Sequence, residues 1–329
     1  MTQQSGHALI RHQEVGNSFD GVYYVESVFV KQTVQKKDYS DFMLRDKSGA
    51  RNVKFWGVIQ DVAKGDYVYI SAIVEDYKGS SSIIAKNMEK AETPQDMSDY
   101  IPVYDGLENA SEKFDALMGQ LSEWGKDASG PFVAGMIVNE VFSDAFREKF
   151  VSAPGSSKPH YGRQGGLLAN VVRVADAALK MADAYALTVQ EKGVLLAAAL
   201  VFRAGSIDAF EFKDCMPVLT KKGILLGINN LTMTRLSSAL RRVLSILSKD
   251  NRVVDQETIV RIFHAASSYD SRTVLPMTKE AMVLSAAYRS DAEMVDAMDF
   301  ISDDANVAEE FTAYDPSKGR RYYTGLRVV

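Results

Sequence analysis

The chain has 329 residues, 46% of them hydrophobic and 25% charged, so it is long enough for two or three domain cores and too apolar for a disordered protein. Its net charge of −5 argues against a surface built as a whole to hold duplex DNA. The single cysteine, Cys215, excludes an internal disulfide and suits a reducing compartment, where we expect it to be a buried apolar residue.

The first 91 residues predict an arm followed by a small β-barrel. Residues 1–20 are polar and lack periodicity, so they are predicted to form a flexible arm. Residues 21–91 alternate branched and aromatic residues with polar ones and contain glycine-bearing turns, a pattern typical of five short strands. Five strands with a break after the third favour an OB-type barrel. This region carries 11 Lys and Arg against 9 Asp and Glu, which favours local cationic patches.

The rest of the chain predicts a linker, a helical bundle and a tail. Residues 92–109 contain two prolines and are predicted to be a linker, whereas apolar residues at helical spacing dominate residues 110–302. One of the predicted helices covers residues 214–225. Residues 303–329 end in a basic, aromatic stretch and are predicted to be a separate tail. The fold class is therefore α+β, with an N-terminal barrel followed by an all-α bundle.

The third predicted strand offers the best candidates for nucleic-acid contact. Strand alternation places Lys54 and Trp56 on one face and Val53 and Phe55 on the other, and the second pair suits the barrel core. An OB barrel binds single strands with rings that stack on bases and cations that contact phosphates. Two roles stay open for Trp56, which would either stack on a base or close the barrel.

Loops and the tail supply the other candidates. The predicted contacts in and around the barrel loops are Lys36, Lys37, Arg45, Arg51, Tyr77, Lys78 and Lys86. In the tail they are Arg320, Arg321, Tyr322 and Arg327, since cations mixed with rings combine electrostatic capture with stacking. The alternatives are a solvated barrel surface and a tail that docks on the bundle or on another subunit.

Several segments resemble YhaM-type 3′-to-5′ exoribonucleases, which join an OB module to an HD domain. In the barrel region these are residues 42–49 and 53–56; in the helical region they are residues 160–168, 276–281 and 291–294. The segments occur in the same order as in that family and together cover most of the chain. The resemblance implies an OB module followed by an HD-type helical bundle.

The departures from that family fall on its metal ligands. Where the resemblance places histidine and aspartate ligands, this chain has Asn170, Phe202, Arg203, Tyr269, Asp270 and Tyr288, and the lysine that commonly follows the His-Asp pair is replaced by Ser206. Only Asp270 would still offer an oxygen. Metal binding needs several anionic or imidazole ligands around one point, so the resemblance implies an HD domain without its metal and without a cofactor.

Other catalytic chemistry finds little support in the sequence. His160 and His264 are expected to have structural roles, because no cluster of partner ligands accompanies either of them. The chain contains no phosphate-binding loop, no nucleophile elbow and no zinc-ligand spacing.

The sequence therefore predicts a non-catalytic protein that binds single-stranded nucleic acid, DNA in preference to RNA. The architecture is also similar to that expected of a bacteriophage single-stranded-DNA-binding RNA polymerase cofactor, which would make a phage polymerase the partner and the host cytoplasm its location. No secretory signal or membrane span is expected, and a homo-oligomer is compatible with the apolar helix faces. The alternatives are a metal-dependent 3′-to-5′ exonuclease or phosphohydrolase with a rearranged site, and a protein-interaction scaffold.

Overall fold

The computed structural model describes residues 8–77, 80–127, 129–158, 160–250, 255–270, 274–302 and 310–325. The chain divides into two compact units. Residues 1–103 together with 212–216 form the first, here called the barrel unit. Residues 104–211 together with 217–329 form the second, here called the helical unit.

Five strands close into a barrel in the first unit. They are β1 (Ser18–Gln32), β2 (Asp38–Asp46), β3 (Gly49–Phe55), β4 (Tyr67–Tyr77) and β5 (Ser80–Ala91). They follow the order β1-β2-β3-β5-β4, and β1 pairs with β4 to complete the closure. All neighbours are antiparallel except β3 and β5, which run parallel. The predicted five-stranded OB-type barrel followed by a helical region is confirmed.

The barrel interior follows the alternation of the strands. Inward residues such as Phe42, Leu44 and Val53 are fully buried, together with Val68 and Ile70 of the neighbouring β4. The predicted alternation along β3 therefore has the right phase: Val53 points inward, whereas Trp56 is exposed.

The segment before β1 packs on the barrel, unlike the predicted flexible arm. Ile10 is completely buried in the barrel core, in a short 3₁₀ turn. Its N–H donates to the Asp46 carboxylate at 2.6 Å, and the same carboxylate accepts from the N–H and hydroxyl of Ser48 at 2.7 and 2.5 Å. The apolar Ile10 thus anchors a segment that otherwise reads as polar.

The predicted linker is also more ordered than its composition suggests. Tyr100 is buried and its ring lies 4.9 Å from that of Tyr67, while the Val103 N–H donates to the Lys47 carbonyl. Cys215 is buried as predicted, and its sulfur lies 3.4 Å from the Tyr67 hydroxyl. The first helix begins at Leu107, inside the predicted linker.

Nine helices are described in the rest of the chain. They are α1 (Leu107–Asp127), α2 (Ser129–Val141), α3 (Asp144–Ser152), α4 (Gly166–Ala184), α5 (Val189–Val201), α6 (Ser206–Ala209), α7 (Lys221–Lys249), α8 (Gln256–Ser268) and α9 (Lys279–Ser302). From Gly193 onward every residue of α5 is buried, so it is the core helix of this unit. No helix within these described ranges is long and apolar enough to span a membrane.

The helix predicted over residues 214–225 is wrong. A β-hairpin stands there instead, with β6 (Phe210–Lys213) paired to β7 (Met216–Leu219), and α7 starts only at Lys221. Asp214 and Cys215 both have positive φ, 49° and 61°, which suits a two-residue hairpin turn and breaks a helix. Apolar periodicity alone did not reveal this turn.

We expect Asp46→Ala to lower the free energy of unfolding of the barrel unit by about 3 kcal/mol, because buried donors lose a charged acceptor. Asp99→Ala is the matched control, since its exposed carboxylate makes only one surface ion pair, to Lys47, and should cost less than about 1 kcal/mol. Urea unfolding followed by tryptophan fluorescence measures both variants. Equal losses for the two variants would contradict the anchoring role of Asp46.

Candidate nucleic-acid interface

One outer face of the barrel carries rings and lysines from β1, β2, β5 and the residue that follows β3. Strand register pairs Lys31 of β1 with Tyr39 of β2, and the Tyr39 ring contacts that of Trp56, just after β3, at a centroid distance of 5.2 Å. Lys86 of β5 follows Ala85, the register partner of Phe55, and is exposed. The four side chains therefore belong to one row across the sheet.

A second row lies beside the first. Phe29 of β1 is paired with Asp41 of β2, and Asp41 is paired with Lys54 of β3. The Lys54 ammonium lies over the Tyr77 ring, 5.7 Å from its centroid. Phe29, Trp56 and Tyr77 are 61%, 60% and 62% exposed, an unusual amount of aromatic surface for one sheet face. These two rows, with the residues named here, are called the ring-lysine face below.

Asp41 is the acid at the centre of this face. Its carboxylate is almost fully buried, forms an ion pair with Lys31 and accepts from the Asn52 amide at 2.6 Å. The side-chain hydrogen bond to Asp41 raises the pKa of Lys31. Asp41 thus fixes the position of a lysine whose tip remains half exposed.

The loop between β1 and β2 lines a solvent-open pocket beside Trp56. The pocket has a volume of about 550 Å³ and is lined by Thr33, Val34, Gln35, Lys37, Asp38 and Trp56. Lys36 has a positive φ of 59°, and its N–H donates to the Thr33 carbonyl, so the loop turns tightly. Lys36 and Lys37 are both exposed, as the sequence analysis requires of phosphate contacts.

Two of the predicted arginine contacts are structural instead. Arg45 forms a largely buried ion pair with Glu26. Arg51 donates to the Gln13 carbonyl at 2.7 Å and to the Ser81 hydroxyl at 2.6 Å, which ties the N-terminal segment to β5. Both guanidinium groups are therefore committed to holding the barrel together.

The sequence analysis missed four residues of the face: Phe29, Lys31, Tyr39 and Asp41. Phe29 and Lys31 follow a β-bulge between Val25 and Ser27, which changes the phase of the alternation along β1. Extending the inward phase of Tyr23 and Val25 would turn Phe29 and Lys31 toward the core. The sequence could have predicted only one of these positions: Tyr39 lies next to the turn between β1 and β2, where hairpin pairing places it opposite Lys31.

The tail forms a small hairpin that contacts α9 of the same unit. Bridges join Phe311 to Tyr323 and Asp315 to Arg320. Arg320 pairs with Glu293 at 2.7 Å, and the Tyr322 ring lies 5.8 Å from that of Phe300. Arg320 and Tyr322 are thus engaged within the helical unit, as the docked-tail alternative expected.

Arg321 is exposed, which is compatible with its predicted role. Lys78 and Arg327, the other two predicted contacts, lie outside the described residues.

Five of the six predicted HD ligand positions form a ring cluster and a polar cluster. Phe202, Tyr269 and Tyr288 pack edge to face, with centroids 4.7 to 5.8 Å apart. Arg203 is buried and donates to the Asn170 amide oxygen at 3.4 Å and to the Gly155 carbonyl. The resemblance implied that all six positions surround one metal centre; in the structure, three of them are aromatic rings in contact with one another.

The carboxylate that reaches Asn170 from α9 is Asp291, one turn beyond the expected Tyr288. Asp291 accepts hydrogen bonds from the Asn170 amide at 2.9 Å and the Tyr161 hydroxyl at 2.8 Å, and Arg173 lies 3.2 Å away. Burial raises the pKa of Asp291, although the hydrogen bond from Tyr161 and the charge of Arg173 oppose the shift. Asp291 lies in the matched segment 291–294, but the resemblance assigned the ligand position to Tyr288 and gave Asp291 no role.

These positions do not fit the metal ion that the HD resemblance implies. An amide, a guanidinium, three aromatic rings and the single carboxylate of Asp270 offer too few of the anionic or imidazole donors that a divalent ion needs. The guanidinium of Arg203 adds a positive charge beside Asn170. Within the described residues, no group of three or more His, Cys, Asp or Glu side chains is arranged to hold a metal.

Known proteins similar to this chain include two exoribonucleases. No protein-family model matches the chain. The chain is 23% identical over 289 residues to the 3′-5′ exoribonuclease YhaM of Geobacillus sp. (strain WCH70), covering 87% of this chain and 85% of that protein. It is 19% identical over 295 residues to the 3′-5′ exoribonuclease YhaM of Shouchella clausii (strain KSM-K16), covering 87% and 86%.

Two solved structures are similar to a quarter of the chain. A replication protein A domain from Methanococcus maripaludis is 22% identical, with a TM-score of 0.24, and covers 27% of this chain and 98% of that domain. The second OB-fold domain of replication protein A from the same organism is 16% identical, with a TM-score of 0.19, and covers 26% of this chain and 91% of that domain.

The prediction that this protein is not an enzyme is contradicted by the comparisons. Both curated relatives are named 3′-5′ exoribonuclease, and both alignments span most of the chain, so they point to an enzyme family. The prediction rested on the lost ligands at the HD positions and on the lack of other catalytic motifs, and neither observation excludes an enzyme.

Because the donors at the HD positions do not fit a divalent ion, we expect the thermal unfolding midpoint of the protein to be the same in saturating Mn²⁺ and in EDTA. Differential scanning fluorimetry measures it. A ligand that binds only the folded state raises the midpoint. A rise with Mn²⁺ that disappears in the Asp270→Asn variant would show that a metal binds there after all.

Proposed function

We propose that this protein binds single-stranded nucleic acid on the ring-lysine face of its barrel. The observation that carries the proposal is the juxtaposition of exposed rings and lysines on one sheet face, with Tyr39 against Trp56 and Lys54 over Tyr77. Base stacking on an aromatic side chain contributes about 1–3 kcal/mol per base, and lysines add contacts to the phosphates.

Single strands are preferred for a physical reason. Phe29, Trp56 and Tyr77 present their rings outward from the sheet, and a base must leave its duplex stack before a ring can stack on it. Lys36, Lys37 and the pocket beside Trp56 would contact the backbone at one end of the path. With a net charge of −5, the chain offers electrostatic capture only at local cationic patches, of which this face is one.

The finer proposal is a DNA strand and a phage RNA polymerase partner. Its support is the order of a strand-binding barrel and a helical region, which the sequence analysis compared with a phage transcription cofactor. Competition between DNA and RNA oligonucleotides of one sequence tests the first part. Recovery of purified polymerase on the immobilised protein after nuclease treatment tests the second, and loss of recovery on nuclease treatment would oppose it.

A second candidate function is 3′-to-5′ exonuclease activity. The observation that favours it is that both curated relatives carry this name and align with 87% of the chain, which includes parts of both units. On this proposal the barrel delivers the strand. Catalytic groups would have to lie outside the six HD positions, since those do not fit a metal.

Trp56→Ala should weaken the binding of a labelled single-stranded oligonucleotide by about tenfold, because one stacking platform is lost. Fluorescence anisotropy across a salt series measures this. The matched control for Trp56→Ala is Tyr185→Ala, which removes a similarly exposed ring from the helical unit.

Lys86→Ala should lower the slope of log affinity against log salt by about 0.7, the value for one phosphate contact on a single strand. The same salt series measures this slope.

If Trp56→Ala folds like the parent and binds with the parent's affinity, the ring-lysine face is the wrong site. If neither DNA nor RNA binds at all, the scaffold alternative becomes the better account.

The exonuclease candidate predicts that a 5′-labelled RNA or DNA strand is shortened stepwise from its 3′ end. Denaturing gels over time, with Mg²⁺ or Mn²⁺ and then with EDTA, measure this. A strand with a blocked 3′ end is the substrate control and should persist. If the parent degrades the strand and Trp56→Ala does not, the nuclease activity depends on strand binding by the barrel. If the strand stays intact under every condition, the exonuclease proposal is wrong.

A further inference from the structure

The first turns of α7 expose three consecutive apolar side chains. Ile224, Leu225 and Leu226 are 68%, 70% and 51% exposed, in a unit whose other apolar residues largely form one buried core. Successive residues of a helix are turned by about 100°, so three in a row cannot share one core-facing stripe. A run of this kind on a surface is typical of an interaction site.

The start of this helix is held firmly. The Thr220 hydroxyl accepts from the Gly223 N–H at 3.0 Å and donates to the Asp208 carbonyl at 2.6 Å, which caps the first turn. Gly223 packs so closely on α6 that an added Cβ would lie 2.3 Å from the Ala209 carbonyl oxygen. The exposed run is therefore presented by a fixed turn.

The end of the run is equally well defined. Gly227 has a positive φ of 73° with ψ of 161°, so the helix kinks directly after Leu226. The Asn230 amide donates to the Leu226 carbonyl at 2.8 Å, which satisfies an acceptor that the kink would otherwise leave open. Residues 221–226 thus form a short projecting element, called here the apolar knob.

The charge around the knob identifies the chemistry of its partner. Lys221 and Lys222 are exposed at its beginning, and residues 219–230 contain no acidic residue. A partner surface that covers the knob would therefore combine apolar side chains with carboxylates.

We propose that the apolar knob docks an acidic, apolar segment of a partner protein. A symmetric contact between two knobs would place four lysines in one interface with no acidic residue from residues 219–230 to compensate them, which opposes self-association. A nucleic-acid strand would find two lysines but no ring within residues 221–226. The proposal is independent of strand binding by the barrel.

The test uses the full-length protein and a fluorescein-labelled helical peptide built from Leu and Glu on opposite faces. A second peptide with Lys in place of Glu is the probe control. We expect the acidic peptide to bind and the basic one to bind much more weakly. Leu225→Ser should weaken binding of the acidic peptide by about tenfold, since one buried leucine is lost. Lys221→Glu combined with Lys222→Glu should reverse the preference between the peptides.

Val189→Ser is the matched control variant, because it removes an exposed apolar side chain from another helix of the same unit. It should bind like the parent, and circular dichroism should show parent-like folding for every variant. The proposal is overturned if Leu225→Ser and the parent bind the acidic peptide equally, or if that peptide does not bind. Binding to phosphatidylglycerol vesicles instead, or a dimer in sedimentation that Leu225→Ser dissociates, would also overturn it.

Discussion

The β-bulge at Glu26 decides what the outer face of the barrel displays. Val25 pairs with Leu44 and Ser27 with Met43, so Glu26 is the extra residue and the alternation along β1 changes phase there. Before the bulge Tyr23 and Val25 point into the core. After it, Phe29 and Lys31 point outward and lie in the same rows as the outward residues of β2 and β3. Because a shift of one residue moves every side chain of a strand to the opposite face, the ring-lysine face depends on the bulge at Glu26.

The ion pair between Glu26 and Arg45 explains how the bulge is tolerated. A bulge disrupts the ladder locally, and here the extra residue carries a carboxylate that meets a guanidinium from the adjacent β2. Arg51 of β3 stabilises the barrel in a different way, because it donates to the carbonyl of Gln13 in the segment before β1. In this barrel the arginines stabilise the scaffold, and the lysines, which carry a compact charge on a flexible stem, remain for the surface.

The sequence was informative where periodicity and topology agree. Five strands, their closure and the outward position of Trp56 follow from alternation and turn residues, and most helices follow from apolar spacing. It was not informative where one residue changes the phase, as at Glu26, or where two residues with positive φ, Asp214 and Cys215, convert an apolar run into a hairpin. The sequence was also not informative on α9, where it pointed to Tyr288 and the structure brings Asp291 to Asn170. Residues one helical turn apart lie on the same face, so a resemblance does not separate them.

The polar cluster of the helical unit and the ring-lysine face of the barrel differ in how far their charged groups are already satisfied within the fold. In the helical unit Asp291 is buried and shared by Tyr161 and Asn170, which satisfies its charge within the fold. The neighbouring rings of Phe202, Tyr269 and Tyr288 gain about 0.5–1.5 kcal/mol per pair from edge-to-face packing and require no ion. In the barrel unit, Lys36, Lys37 and Lys86 are exposed beside Trp56. On the function proposed above, phosphates and bases are therefore expected to contact the barrel face rather than the polar cluster of the bundle.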